Sequence, residues 1–172
     1  MQWVDDQRFE TMTMPHVNAL FQTALRLTEN PAGAQEVVRE AYECAWKSFC
    51  RREEWSDWRL GLFKALMQRM HRHDRGWFDV SWSSESVETS EEYTPEPDDA
   101  DAFSYSPGQV LSALTRVPVV FREVVLLIDC QEFSYQEAAA ILSLSKDVVA
   151  ERLGLGRRLL QSELNKAALA IA

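Results

Sequence analysis

Phe133-Ser134-Tyr135-Gln136-Glu137-Ala138-Ala139-Ala140-Ile141-Leu142-Ser143-Leu144-Ser145-Lys146-Asp147-Val148-Val149-Ala150-Glu151-Arg152-Leu153 is the stretch on which the fold turns. Ser134 and Glu137 have the S-x-x-E spacing of a capping box, in which each side chain takes the other residue's backbone amide. Ala138, Ile141 and Leu142 follow at helical spacing on one face. Ser143-Leu144-Ser145 is too short for anything but a tight turn, and Ser145 is placed to cap a second helix running through Val148, Val149, Arg152 and Leu153. The pattern is a helix-turn-helix, whose second helix ordinarily enters a DNA major groove. A plain pair of helices in an all-α domain is the alternative these residues alone leave open.

Upstream, Val110, Leu111, Leu114 and Val117 share one helical face. Pro118 stands at a helix start, where no N–H donor is needed, and Phe121, Val124, Val125 and Ile128 continue the period. Four helices are therefore expected between residues 107 and 172. Leu111 to Leu114, Val117-Pro118, Phe121-Arg122-Glu123-Val124 and Phe133 to Glu137 together resemble the promoter-reading C-terminal domain of the extracytoplasmic-function (ECF) sigma factors of bacterial RNA polymerase. A second stretch, Leu25-Arg26-Leu27-Thr28-Glu29-Asn30-Pro31 through to Ala45-Trp46-Lys47, resembles the N-terminal domain of the same family, in the right order. There Pro31 marks a helix start, and Val37, Val38, Ala41, Tyr42, Ala45, Trp46 and Phe49 form a wide apolar stripe.

Charge divides the chain in the same way. Residues 1–76 carry 11 Lys/Arg and 11 Asp/Glu, residues 107–172 carry 7 and 7, and residues 77–106 carry none against 9. The net charge of -9 thus comes from the middle segment, whose serines and prolines and run Asp98-Asp99-Ala100-Asp101 have the composition of a tether. The expected organisation is all-α: a helical domain over 1–76, an acidic linker over 77–106 and a helix-turn-helix domain over 107–172. As a flexible coil the linker would span on the order of 30 Å, enough to hold the domains apart on a larger partner. Trp77, Phe78 and Trp82 are expected to pack back on the first domain, a docking site for another protein being the alternative.

Other classes are disfavoured. Asp5, Asp6 and Glu10 stand where a secretory signal would need basic and apolar residues, and no apolar run approaches a membrane span, so a cytoplasmic protein is expected. Cys44, Cys50 and Cys130 lack a C-x-x-C spacing and are expected as reduced, mostly buried thiols. His71 and His73, two apart on a helix, point to nearly opposite faces, so no metal site is expected. With no phosphate loop and no nucleophile–base pattern, neither an enzyme, a cofactor nor a small-molecule substrate is expected.

The resemblance implies roles. Gln35, Glu36, Arg39, Glu40 and Glu43, on the polar face of their helix, would dock on core RNA polymerase. Trp58, Arg59, Lys64, Gln68, Arg69, Arg72 and Arg75 would engage the promoter −10 element. Ser145, Lys146, Val149, Arg152, Arg157 and Arg158 would meet the −35 element, Arg152 being the best placed for a guanine edge. An anti-sigma factor is a candidate further partner. The chain also departs from the family. It has Gly61 for a tryptophan and Gln68 for an asparagine. In the second helix, Val148, Ala150, Gly154 and Leu155 replace a threonine, a lysine, a histidine and an arginine. Asp147 and Glu151 add negative charge there, and Gly154 and Gly156 are expected to end or bend the helix. The leading expectation is a sigma factor directing promoter-specific initiation. Its rival is a sigma-derived interaction protein that no longer reads DNA.

Overall fold

The computed structural model describes residues 2–53, 55–73 and 105–169, and among these every regular element is helical. The first half comprises α1 (Gln2–Thr13), a 3-10 turn (Met14–His16), α2 (Val17–Thr28), α3 (Pro31–Cys50) and α4 (Trp58–His73). The second comprises α5 (Pro107–Arg116), α6 (Val119–Val125), a π turn (Leu126–Cys130), α7 (Tyr135–Leu142) and α8 (Lys146–Leu169).

Side-chain chemistry sets the helix ends. Glu29 closes α2 in the left-handed region at φ 55°, its amide on Leu25 O. Asn30 then turns extended and accepts the Ala32 amide at 3.0 Å, so α3 starts on Pro31 as the sequence leads one to expect. Val37, Val38, Ala41 and Ala45 are buried along α3, with Tyr42, Trp46 and Phe49 half-buried beside them. They pack with Leu20, Ala24 and Leu27 of α2 and with Leu62, Phe63, Leu66, Met67 and Met70 of α4. Phe9 pins α1 to this layer, its ring 5.0 Å from Trp46, 5.5 Å from Phe49 and 5.8 Å from Trp58. The Tyr42 hydroxyl donates to Thr13 O at 2.8 Å, and burial pushes its pKa up to about 12.

In the second half the helix-turn-helix forms as read. Ser134 and Glu137 make the full capping box, Ser143 ends α7 at φ 56°, and Ser145 Oγ accepts the Val148 amide at 3.3 Å. The carboxyl of Glu137 is held below its ordinary pKa by hydrogen bonds from the Ser134 amide and hydroxyl. Three expectations are corrected. On α5 the buried stripe runs through Ala113 and Leu114 to Val117, leaving Leu111 42% exposed. Cys50 and Cys130 are exposed, and Cys44 is half-buried. The helix after the turn does not end at its glycines: α8 runs unbroken from Lys146 to Leu169. A Cβ at Gly156 would lie 2.8 Å from Val125 Cγ2 and 3.2 Å from the Phe121 carbonyl, so this glycine lets α8 approach α6 closely. Around Gly154 a Cβ would meet nothing within 4 Å, and nothing in the structure explains that glycine.

The two halves share one core, in which Phe63 of α4 meets Phe133 edge-on at 5.0 Å. Apart from Tyr105 and Ser106, the acidic linker lies outside the described residues. So do Trp77, Phe78, Trp82 and Arg75.

Candidate polymerase and nucleic-acid interfaces

The buried stripe of α3 fixes what its other face presents. With Ala34, Val37, Val38, Ala41 and Ala45 turned inward, Gln35, Glu36, Arg39 and Glu43 stand exposed in a ridge, with Glu40 half-buried beside it. Arg39 bonds Glu43 one turn on and Glu36 one turn back, the latter at 3.3 Å. Those carboxylates, Glu43 foremost, raise the pKa of its guanidinium. Exposed i,i+3 and i,i+4 pairs like these add little stability and re-pair readily with an incoming charged surface.

The residues assigned to the −10 element fall in four places. Trp58 is half-buried in the aromatic cluster, its ring 5.9 Å from Phe49 and 5.2 Å from Trp55. It lines an open cavity of about 750 Å³ with Arg8, Arg52 and Trp55. Lys64 and Gln68 line a second cleft of about 430 Å³, together with Trp55 and with Cys44 and Ser48 of α3. Arg69 and Arg72 lie further along α4 in a recess of about 350 Å³, beside Lys47 and the ridge residues Arg39, Glu40 and Glu43. Arg59 points elsewhere, into the second half, where it bonds the carbonyl of Gln131 and lies over the Phe133 ring at 4.1 Å from the centroid.

Sequence reasoning missed Trp55. Any side chain at position 61 would collide with its indole, so the bare Gly61 is the seat on which this loop tryptophan lies against α4. Arg8 and Arg52, on the rim of the larger cavity, were missed too, because α1 and the loop after α3 carry no periodic signal.

The −35 set is divided as well. Ser145 is the helix cap, and Lys146 and Arg158 are exposed with no ion-pair partner among the described residues. Val149 has no exposed surface and belongs to the core, so its side chain is not available to a groove. Arg157 grips Asp129 with both arms, at 3.0 and 2.5 Å, and that carboxylate raises its pKa. Arg152 lies 3.5 Å from the buried carboxylate of Glu123, with a quarter of its side chain exposed. Between them the outward face offers Asp147, Ala150, Glu151 and Gly154.

Glu123 and its neighbour Arg122 are buried charges that sequence analysis treated only as letters of a motif. Arg122 donates to the carbonyls of Val117, Thr115 and Arg26 and to the Glu29 carboxylate, the last at 2.7 Å. Glu123 Oε2 lies 2.8 Å from His71 Nε2. The signal was the position of a charged pair inside the apolar run Val119 to Ile128, where a helix has no polar face to turn outward. Among the described residues no group of His, Cys, Asp and Glu is placed to hold a metal ion, and no helix is long and apolar enough to cross a membrane.

No protein-family model matches the chain. It is 22% identical over 165 residues to the ECF RNA polymerase sigma factor SigE of Mycolicibacterium smegmatis, an alignment covering 92% of this chain and 62% of that one. The chain thus spans less than two thirds of the length of that curated relative. Among solved structures it resembles one of the sigma factor RpoE in complex with the anti-sigma factor NepR from Bartonella quintana. There the TM-score is 0.66 and the identity 24%, with 92% of this chain and 98% of the other covered. The structure of CnrH in complex with the cytosolic domain of CnrY matches with TM-score 0.66 and 23% identity, over 94% of this chain and 90% of the other.

Proposed function

We propose that this chain, which carries the fold of the ECF sigma factors and is similar in sequence to one of them, is a sigma factor that binds core RNA polymerase and directs promoter-specific initiation. The α3 ridge is the observation that carries this reading. Glu36, Arg39 and Glu43 are exposed, mutually paired and backed by a buried apolar stripe, which suits a docking surface of fixed geometry. The clefts around Trp55 and Trp58 combine aromatic faces with Arg8, Arg52, Lys64 and Gln68, a chemistry that stacks unpaired bases and neutralises phosphates. They are assigned to the −10 strand, with Arg69 and Arg72 continuing the basic track toward the ridge. Lys146, Arg157 and Arg158 are assigned to −35 phosphates. The 1–76, 77–106 and 107–172 division is retained, the acidic linker threading a basic channel of the polymerase. The protein is placed in the cytoplasm as a non-enzymatic regulator. An anti-sigma factor is proposed as a further partner, since both solved relatives named above were captured with partners and the RpoE partner is an anti-sigma factor.

Reversing two ridge charges tests the docking surface. The Glu36→Lys/Glu40→Lys chain, checked for unchanged helical content, should lose most of its co-purification with core polymerase, because both residues lie off the buried stripe. Undiminished capture by the folded variant would remove α3 from the interface.

A second reading, a sigma-derived interaction protein that no longer reads DNA, is favoured by α8. Val149 is in the core, Arg152 and Arg157 are engaged by carboxylates, and Asp147 and Glu151 face outward. The two readings part at transcription itself, since only the first requires the holoenzyme to initiate.

A further inference from the structure

The loop between α3 and α4 lays Trp55 on the turn of α4 that carries Gly61. Cδ2 and Cζ3 of the indole lie 2.7 Å from where a Cβ at position 61 would stand, and Cε3 lies closer still. The ring thus fills the space that a side chain of α4 itself would take, at the position where the family the chain resembles has a tryptophan. Trp58, one turn before Gly61, also holds it, the two indoles being 5.2 Å apart and inclined at 38°. Leu62, Phe63, Leu66 and Met67 carry the buried face of α4, whereas Trp55 is half-buried at the margin of that core. Trp55 and its neighbour Ser56 are the two residues common to the linings of the 750 Å³ cavity and the 430 Å³ cleft. An aromatic ring therefore stands where the two spaces adjoin, with Arg8 and Arg52 lining one and Lys64 and Gln68 the other.

We propose that Trp55 is the stacking platform for an unpaired promoter base and that Gly61 makes its seat, so that the two positions act through one ring. The inference deepens the sigma-factor reading above and rests on it. A base of any identity stacks on a flat π face, the cations of either cleft take its phosphates, and the Gln68 amide lies in reach of the cleft for a base edge. A Cβ at position 61 displaces the indole, which removes the platform as surely as removing the ring does. Substitutions at 55 and 61 therefore share one effect and do not add. A tryptophan that served packing alone would be replaceable by leucine, which fills apolar space and offers no face for a base.

The test uses holoenzyme reconstituted from core polymerase and the full-length chain, with core alone as the blank. The probes are a fluorescein-labelled single-stranded DNA of mixed sequence and the same DNA annealed to its complement. Trp55→Leu should weaken binding of the single strand on the order of tenfold and leave the duplex, whose bases are already stacked, unchanged. Trp55→Phe should keep most of the single-strand affinity. Gly61→Ala should reproduce the loss seen with Trp55→Leu, and the double variant should bind no worse than either single one. Unchanged single-strand binding by Trp55→Leu overturns the proposal, as does an equal loss on strand and duplex, full binding by Gly61→Ala, or additive losses in the double variant. Should Trp55→Leu lose helical circular dichroism, the Phe and Gly61→Ala variants are read by the same criteria. Failure of the wild-type chain to assemble with core polymerase strikes the sigma-factor reading and the inference with it, whereas normal assembly with any of the contrary binding results strikes the inference alone.

Discussion

Arg122→Met is expected to lower the stability of the chain by about 3–5 kcal/mol, the cost of breaking a buried charged network from one side. Methionine fills similar space but donates nothing. The carbonyls of Val117, Thr115 and Arg26, all acceptors of this one guanidinium, would lose their partner, and a buried acceptor left unpaired, as the Val117 carbonyl would be, costs about 1–3 kcal/mol. The first two lie in the last turn of α5 and at its C-cap, whereas Arg26 and Glu29 close α2, so both halves are affected together. Urea unfolding followed by circular dichroism measures the change. A loss below about 1 kcal/mol would mean that water satisfies these carbonyls and that Arg122 fastens nothing.

The two glycines of α8 should respond to alanine with opposite signs. Gly154→Ala fills open space on an exposed face and is expected to stabilise by about 1 kcal/mol, the helix-propensity difference. Gly156→Ala gains the same propensity but drives a methyl against Val125 Cγ2 and the backbone carbonyl of Phe121, and the carbonyl cannot move aside without shifting α6. Overpacking of that kind costs about 1–3 kcal/mol, so the net effect is destabilising. Equal stabilisation by both substitutions would show that α6 and α8 are not in close contact.

What the sequence made legible were the features written in local chemistry. Ser134 with Glu137, Pro31 at a helix start and the apolar stripes of α3 and α7 each encode an element through neighbours within one or two turns. The reading of Gly154 and Gly156 failed because propensity was weighed without the close approach of α6, a tertiary gain that overrides it at Gly156. α1 escaped because Phe9 is its one buried large apolar residue among those whose side chains are described, too little for a period. The docking of the two halves was not legible for a related reason. Its fasteners are Arg59, His71, Arg122 and Glu123, residue types that sequence analysis assigns by default to solvent or phosphate. Arg59 and Arg152 were assigned to DNA from the resemblance and their charge, and each is engaged inside the chain. Trp55 was invisible for the opposite reason, since its seat is defined by the absent side chain of Gly61.

The central claim is that this chain turns core polymerase into a promoter-reading enzyme. Run-off transcription with purified core polymerase, the full chain and a panel of promoter fragments, including the region upstream of its own gene, tests it most directly. The account predicts discrete transcripts from at least one fragment that require the chain and disappear with Glu36→Lys/Glu40→Lys. Polymerase that binds the chain yet initiates from no fragment would contradict it and leave the interaction-protein reading in its place.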